Sequence, residues 1–429
     1  MPDSEPGLGR VNNRAKGIMM AGFLYAFTFQ KYAMRDALSQ SVGFQGVLEA
    51  VLTLAACLIV VFQSKEMRRR FGVHASILCF GIYGIFALAS SIYSFNVPLS
   101  IVKGILYLSV LAIAYLVAEL QMSLVFLDGV YRGYIATLLG ALTMAVIFPA
   151  KYPLFSVDSW NGRTRLALLS THPNSIGEVS GLLFLLAQVL PIRTRWYWQG
   201  FLLGVSVLAG EKTATAALVL SATLIFLFGH HQTSRRWGFA LAASALACAG
   251  LICVEAGIIP NSAGTTARRA AEVIYGTEVS NEVASLDGRA EVWTNAVELT
   301  RGCVLLGFGF DGARDALMRG VSWSGHAHNG FLQAVLSSGL LGLLALVVGW
   351  FAAAKDALSA DRPWRTRVLS LYLYLFWLAM IGSVFDSPSF FTILLFASVA
   401  YFTLDHIASW ETHLANTTQW PSTTISFTD

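Results

Sequence analysis

Apolar runs long enough to cross a lipid bilayer recur along most of this sequence. A transmembrane helix needs about 20 consecutive, mostly apolar residues. The chain is 55% hydrophobic and only 13% charged, whereas a soluble protein of this length would carry about 25% charged residues. Because a chain in lipid must satisfy its backbone hydrogen bonds internally, long runs rich in Leu, Ala, Val, Ile and Phe predict helices. We therefore predict an all-α polytopic membrane protein.

The apolar runs predict about twelve transmembrane helices, with one large loop between spans nine and ten. The predicted spans are 17–36, 43–63, 74–95, 98–120, 133–150, 175–192, 197–211, 213–229, 237–258, 331–353, 367–384 and 388–404. This organisation divides the chain into spans one to nine (1–259), an outer loop with short helices (260–327), spans ten to twelve (328–406) and a polar tail (407–429). No repeat of 20–50 residues is visible, which argues against a solenoid.

The basic residues predict the orientation of these spans. With the N-terminus inside, 16 of the 29 Lys and Arg residues lie on cytoplasmic segments, and seven lie on short outer segments or span ends. The six in the long loop are not counted, because long loops translocate largely regardless of charge. Both termini are therefore predicted in the cytoplasm, with the long loop outside. The same bias accounts for the net charge of +4, so that charge does not indicate nucleic acid.

Four segments bring polar side chains to the outer side of this predicted topology. They are Arg163 and Arg165 before span six, Lys212 between spans seven and eight, Arg289 in the long loop, and His326, His328 and Asn329 at its end. Facing cations repel each other unless an anion lies between them, and phosphate oxygens match the guanidinium fork. A neutral imidazole, with an ordinary pKa of about 6.5, can take a proton from a sugar hydroxyl. These groups suit glycosyl transfer from a lipid diphosphate donor.

The long loop is predicted to contain a helix that begins near Arg289. Asp287 is a typical N-cap residue, and a helix from there to about Thr300 puts Arg289 and Trp293 on one face. Asp287 and Glu291 are expected to hold Arg289 in place. Trp293 is expected to rest in the membrane interface below it.

Each candidate also has a purely structural interpretation. An outer arginine such as Arg163 or Arg165 commonly contacts lipid phosphate, and a lysine in a tight turn, as Lys212 is, can snorkel to the interface. His326 can be a solvated loop residue, and His328 a satisfied interfacial histidine. From the residues alone, these alternatives stay open.

The sequence predicts neither a metal nor a cofactor. Four of the five cysteines lie in apolar spans, and only Cys303 lies in the long loop, so no zinc-binding spacing exists. No acidic cluster demands a metal ion. The turn Gly307–Gly312 lacks the strand and helix context of a nucleotide-binding loop, and we assign it no phosphate-binding role.

At four motifs the chain resembles the bacterial O-antigen ligase/polymerase superfamily. His328-Asn329-Gly330-Phe331-Leu332 resembles the family's His-Asn-x-x-Leu entry into a span, and Gly339-Leu340-Leu341-Gly342 resembles its Gly-x-x-Gly. The segment Gly288–Trp293 resembles its Gly-Arg-x-x-x-Trp, and Gly307-Phe308-Gly309 its Gly-x-Gly turn. The resemblance covers about 160–350, and the rest of the chain only by topology.

The resemblance implies a bacterial inner-membrane glycosyltransferase with a periplasmic active site. It makes His328 the catalytic base and Arg289 a diphosphate-binding residue, with Lys212 where the family often has a second arginine. Arg163 or Arg165 would supply the bidentate guanidinium that Lys212 lacks. His326 and Asn329 would orient His328 or the sugar. The resemblance also implies a metal-independent reaction without a cofactor.

Three activities remain open, and the resemblance favours the first. The segment Gly325–Leu332 favours an exopolysaccharide polymerase, which joins repeat units carried on undecaprenyl diphosphate. A ligase would instead transfer finished glycan to the lipid A core of lipopolysaccharide. A lipid-glycan transporter or flippase would place polar groups near the midplane, whereas here they collect on one face. Expected partners are the lipid-linked glycan, membrane lipid, and a chain-length regulator or export machinery, but not nucleic acid.

Overall fold

The computed structural model describes the chain in separate stretches, most of which are helical. The described residues are 6–29, 44–65, 75–157, 164–166, 168, 173–190, 194–209, 214–215, 217–221, 289–310, 312–321, 324–359 and 362–382. The helices are α1 (Pro6–Ala26), α2 (Phe44–Ser64), α3 (Ala75–Ala89), α4 (Val97–Glu119), α5 (Ser123–Ile147), α6 (Pro173–Val189), α7 (Arg195–Leu208), α8 (Arg289–Cys303), α9 (Gly312–Gly320), α10 (Gly330–Ser359) and α11 (Arg362–Ile381). Strands β1 (Phe155–Val157) and β2 (Thr164–Leu166) pair antiparallel, an addition to the predicted helical fold.

Five of the described stretches are long and apolar enough to cross a membrane. They are Gly46–Ser64, Ala75–Tyr93, Val97–Glu119, Ser123–Ile147 and Gly330–Leu358. A helical multi-pass membrane protein is thereby confirmed for the described part of the chain. The predicted spans 237–258 and 388–404, most of 213–229, the first part of the outer loop (260–288) and the tail lie outside the described residues.

Two helices begin about ten residues before the predicted spans. Helix α1 begins at Pro6 instead of residue 17, and α5 begins at Ser123 instead of residue 133. In α5 the early turns contain Asp128 and Arg132, whose side chains form an ion pair at 2.8 Å. Charges four residues apart on a helix stabilise it locally. Arg132, predicted in a cytoplasmic segment before the span, therefore belongs to the helix.

Helices α1 and α5 cross at glycines that allow their backbones to touch. A Cβ atom at Gly22 would overlap the carbonyl oxygen of Phe126, and one at Gly129 would overlap that of Met19. Small residues at such crossings allow the close approach on which helix packing in lipid depends. The pair forms one side of the main apolar core.

The helices that carry the candidate site pack on the other side of that core. Asp356 in α10 accepts a hydrogen bond from Ser76 in α3 at 3.3 Å, and Tyr374 in α11 donates to the carbonyl of Glu178 in α6 at 2.8 Å. A second, smaller apolar cluster lies between α8, α9 and the start of α10, and we call it the loop core. Its buried members are Val292, Ala296, Ala313, Leu317, Val321, Ala327 and Leu336.

Candidate active site

Helix α10 is broken at Gly339, and the break receives the turn that follows α8. Gly339 has φ 66° and ψ −169°, which no helical residue adopts. The amide of Phe308 donates to the carbonyl of Leu336 at 2.6 Å, and the amide of Leu340 donates to the carbonyl of Val304 at 2.7 Å. A Cβ at Gly339 would overlap the carbonyl oxygen of Leu305. Only glycine suits both this φ and this contact.

The same turn is anchored to the end of α3 by its own glycine. Gly309 has φ 92°, and a Cβ there would lie 2.5 Å from that of Ser94. The amide of Phe310 donates to Ser90 Oγ at 2.9 Å, and Tyr93 donates to the carbonyl of Leu306 at 2.6 Å. The Gly-x-Gly turn thus serves close backbone packing. It meets the Gly-x-x-Gly motif in space, although about 30 residues separate the two.

Asn329 caps the first half of α10 (residues 330–338) and ties it to α11. Its Oδ1 accepts from the amides of Phe331 and Leu332, each at 3.0 Å. Its Nδ2 donates to the carbonyl of Met380 at 2.8 Å, and the side chain is fully buried. An N-cap satisfies amides that have no partner within the helix. Asn329 is therefore bound to main-chain groups and positions its neighbour His328 through the backbone.

His328 is held in a strained backbone conformation. Its φ of 48° lies in the left-handed region, which costs a residue other than glycine about 1–2 kcal/mol. The preceding residue, Ala327, is buried and donates its amide to Gln333 Oε1 at 2.8 Å. Ser324 Oγ donates to the carbonyl of His326 at 2.7 Å. Strain of this kind persists only where the surroundings hold the backbone, and it is frequent at functional sites.

The two imidazoles of the loop are in contact. The ring centroids of His326 and His328 lie 4.0 Å apart with an interplanar angle of 80°, an edge-to-face arrangement. Both side chains are partly exposed. His328 therefore combines a fixed backbone and a neighbouring ring with access for a substrate, as a general base requires.

Arg289 is the first residue of α8 and is almost completely buried, at 8% exposure. Val292, three residues further along the same helix face, belongs to the loop core together with Ala327. The start of α8 and the segment that carries the two histidines therefore contribute to the same apolar cluster. The predicted helix start near Arg289 agrees with α8, while the predicted cap Asp287 lies outside the described residues.

Two supporting residues of α8 lie in different surroundings. Trp293 is 1% exposed and lies inside the protein, so its predicted place in the membrane interface is wrong. Glu291 is exposed, whereas Arg289 is buried.

Arg165 lies in β2 beside the start of α6. It is 9% exposed, and its Nη1 donates to Asn174 Oδ1 at 3.1 Å. The sheet that holds it pairs Ser156 with Arg165. The other two predicted cations, Arg163 and Lys212, lie outside the described residues.

Two further side chains near the site bear on its chemistry. Burial raises the pKa of the Cys303 thiol above its ordinary value, so at neutral pH it stays protonated and is a poor nucleophile. Arg314 in α9, counted in the sequence only as one of the loop charges, lies directly beside Gly325, the residue before His326. The only sequence signal for this contact is a glycine next to the His-Ala-His segment.

Among the described residues, no group of three or more His, Cys, Asp or Glu side chains is arranged to hold a metal ion. The site in this part of the chain is instead composed of imidazole, guanidinium and backbone groups. Such a set can accept a proton and stabilise an anion.

Part of the chain matches a known protein family. Residues 199–347 match the family model described as O-antigen ligase. The matched segment runs from α7 into α10 and includes both Arg289 and His328. The chain is also similar to the exopolysaccharide production protein ExoQ of Rhizobium meliloti (strain 1021), with 25% identity over 326 residues, covering 71% of each protein.

Proposed function

We propose that this membrane protein, whose residues 199–347 match the family model described as O-antigen ligase, joins polysaccharide repeat units carried on undecaprenyl diphosphate. The reaction takes place at the periplasmic face of the inner membrane. The observation that carries the proposal is the strained, partly exposed His328, on a segment that shares the loop core with the start of α8, where Arg289 lies. The similarity to a protein named for exopolysaccharide production supports the polymerase over the other activities.

In the proposed reaction, His328 removes the proton from a hydroxyl group of the acceptor sugar. The hydroxyl oxygen forms a bond to the anomeric carbon of the donor glycan, and the bond from that carbon to the diphosphate oxygen breaks. The lipid diphosphate leaves with the bonding electron pair, while Arg289 and Lys212 stabilise its negative charge. The imidazolium then releases its proton to water. A single displacement of this kind inverts the anomeric centre.

The depth of His328 in the membrane suits a substrate whose diphosphate lies at the lipid surface. In the predicted orientation, Asp356 and Arg362 lie at the cytoplasmic side. Gly339 is then about 25 Å from Asp356 along α10, and Met380 is about 27 Å from Arg362 along α11. Since the hydrocarbon core is about 30 Å thick, both ends of the first half of α10 lie near its outer boundary. This half-helix therefore runs nearly parallel to the membrane surface, with His328 at the boundary.

The N-terminus of the first half of α10 adds a favourable electrostatic contribution. A helix N-terminus carries about half a positive charge, which favours nearby anions. His328 immediately precedes the cap Asn329, so the charge that develops on the leaving diphosphate next to His328 would lie close to this helix end.

Arg165, beside the start of α6, can contribute to binding the diphosphate, because α6 packs against α11. The Tyr374–Glu178 hydrogen bond joins α11 to α6 at one level. If α6 and α11 are antiparallel, as the topology predicts, Asn174 lies about 6 Å and Met380 about 9 Å outward of that level. The Arg165–Asn174 pair and the Asn329–Met380 pair then lie in the same layer of the membrane.

The test is a deletion strain complemented with the wild-type protein or with His328→Ala, with lipid-linked and surface glycans resolved by length. Single repeat units in the deletion and His328→Ala strains, with long chains in the wild type, are the expected result. Equal membrane levels of the two proteins, measured by immunoblot, are the control. Normal chain lengths with His328→Ala would contradict the proposed base.

Transfer of finished glycan to the lipid A core is the second candidate, and it is favoured by the O-antigen ligase description of the matched family. The same experiment separates the two activities. A ligase leaves long lipid-linked chains that never reach lipid A, whereas a polymerase leaves single units.

A further inference from the structure

The side chain of Arg314 runs along the segment that carries the two histidines. A Cβ atom at Gly325 would lie 3.2 Å from both Cγ and Nε of Arg314. The aliphatic stem and the first guanidinium nitrogen therefore pass beside Gly325. Any side chain at position 325 would compete for this space. The guanidinium therefore lies beside the residue that directly precedes His326 in the chain.

Helix α9 holds Arg314 at a fixed position. The residue before it, Ala313, is completely buried in the loop core. At the N-terminal end of α9, the amide of Gly312 donates to the carbonyl of Gly309 at 3.0 Å. Further along, Asn295 of α8 donates its amide to the carbonyl of Leu317 at 3.4 Å. The helix is thus attached to both the Gly-x-Gly turn and α8.

Three candidate functional residues are close in sequence to members of the loop core. Arg289 precedes the buried Val292 by three residues on α8, Arg314 follows the buried Ala313 on α9, and His328 follows the buried Ala327. Val292, Ala313 and Ala327 belong to one cluster, so Arg289, Arg314 and His328 each lie within three residues of a member of the same packed unit. A guanidinium group favours an anion beside it, because its fork matches phosphate oxygens bidentately.

We propose that Arg314 is a binding residue for the diphosphate of the donor lipid, acting together with Arg289. This inference rests on the proposed function, because the ligand is the leaving group of that reaction. The ammonium group of Lys212 cannot bind phosphate bidentately. The proposal gives that role to the guanidinium of Arg314, in the outer loop. In this account, Gly325 has no side chain so that Arg314 can extend past the loop to the ligand.

The experiment measures binding, not glycan synthesis. Full-length protein in nanodiscs of zwitterionic lipid is titrated with undecaprenyl diphosphate that carries no sugar. Arg314→Gln is expected to weaken binding by about 10-fold or more, because a hydrogen bond to a charged group is stronger than a neutral one. Arg314→Lys is expected to lose less, because it keeps the charge without the fork.

Arg319→Gln is the matched control. Arg319 lies on the same helix but is exposed, over the ring of Phe95 at 5.1 Å, and its replacement is expected to leave the dissociation constant unchanged. If Arg314→Gln is poorly folded by thermal unfolding, Arg314→Lys provides the comparison with Arg319→Lys.

Gly325→Ala tests whether the contact with Arg314 is the cause. Alone, it is expected to weaken binding by about 3-fold, but in the Arg314→Gln background it should have no further effect, since residues in contact are not additive. Equal effects in both backgrounds would show that Gly325 acts independently of Arg314.

Two results would overturn the proposal. One is unchanged affinity of Arg314→Gln for undecaprenyl diphosphate. The other is an equal loss of affinity for phosphatidylglycerol vesicles, which would identify Arg314 as a general contact to lipid headgroups. Because the readout is binding, these results are separate from the glycan lengths of the His328→Ala strain.

Discussion

The two halves of α10 form one helix in sequence but have opposite surroundings. The first half, residues 330–338, has buried polar side chains, among them Gln333 and Ser337. The second half, residues 340–359, exposes large apolar side chains, among them Leu344 and Phe351 at 58% and 70%. An exposed apolar surface suits lipid, whereas buried polar groups need partners inside the protein. A single backbone break at Gly339 therefore separates a half with buried polar side chains from a half with an exposed apolar surface.

The largest expected effect comes from closing this break. In Gly339→Ala, the new Cβ overlaps the carbonyl of Leu305 and the residue must keep a φ of 66°. We expect the free energy of unfolding to fall by about 3 kcal/mol or more, seen as a lower thermal unfolding temperature and a lower yield. Gly204→Ala is the control, because no atom lies within 4 Å of its Cβ position. A normal unfolding temperature for Gly339→Ala would mean that the break is not required.

The contrast between the halves can be tested with one pair of leucines. Leu336 is completely buried in the loop core, and Leu344 is 58% exposed on the apolar face. We expect Leu336→Ala to lower the unfolding free energy by about 2–4 kcal/mol through a cavity. We expect Leu344→Ala to change it by less than about 0.5 kcal/mol, since an exposed site away from such features contributes little. Equal effects of the two substitutions would contradict the assignment of the two environments.

Loss of the helix cap is expected to have a smaller effect. Asn329→Ala removes two accepted hydrogen bonds and the donation to Met380. We expect a loss of about 1–3 kcal/mol by thermal unfolding. Asn329→Asp keeps an acceptor for the two amides and loses the donor, so its unfolding temperature should lie between those of the wild type and Asn329→Ala. If Asn329→Asp equals Asn329→Ala, the cap contributes nothing.

The smallest effect concerns the strain at His328. Glycine adopts positive φ without cost, so His328→Gly is expected to be more stable than His328→Ala by about 1 kcal/mol. Neither variant should elongate glycan if His328 is the base. Thermal unfolding of both purified variants measures the difference. Greater stability of His328→Ala would show that the positive φ is not maintained in the protein.

Local patterns in the sequence predicted most of the described spans. The apolar runs at 43–63, 74–95 and 98–120 agree within a few residues with Gly46–Ser64, Ala75–Tyr93 and Val97–Glu119. A run of about 20 apolar residues is a local property that needs no partner to be recognised. The same criterion, a long apolar run, missed the start of α5, because the charged pair Asp128 and Arg132 makes its first turns polar.

The candidate site was predicted in part. The sequence identified Arg289 and the His326–Asn329 segment, and both segments contribute residues, Val292 and Ala327, to the loop core. It placed Trp293 in the interface, because a tryptophan beside an arginine at a membrane surface is a common pattern. Burial of that indole depends on tertiary packing, which no local pattern describes. The assignments of His328 and Arg289 to catalysis remain predictions.

The sequence by itself determined that this chain crosses a membrane as helices, and that it carries histidine and arginine motifs at the entry to one span. Only the tertiary structure decided how those motifs meet. Gly309 touches Ser94, the turn after α8 fills the break at Gly339, and Arg314 lies beside Gly325. The physical reason is the separation in sequence of the residues involved. Helix formation in lipid follows from neighbouring residues, whereas these contacts join different segments of the chain. Their close approach depends on the packing of the whole helical bundle.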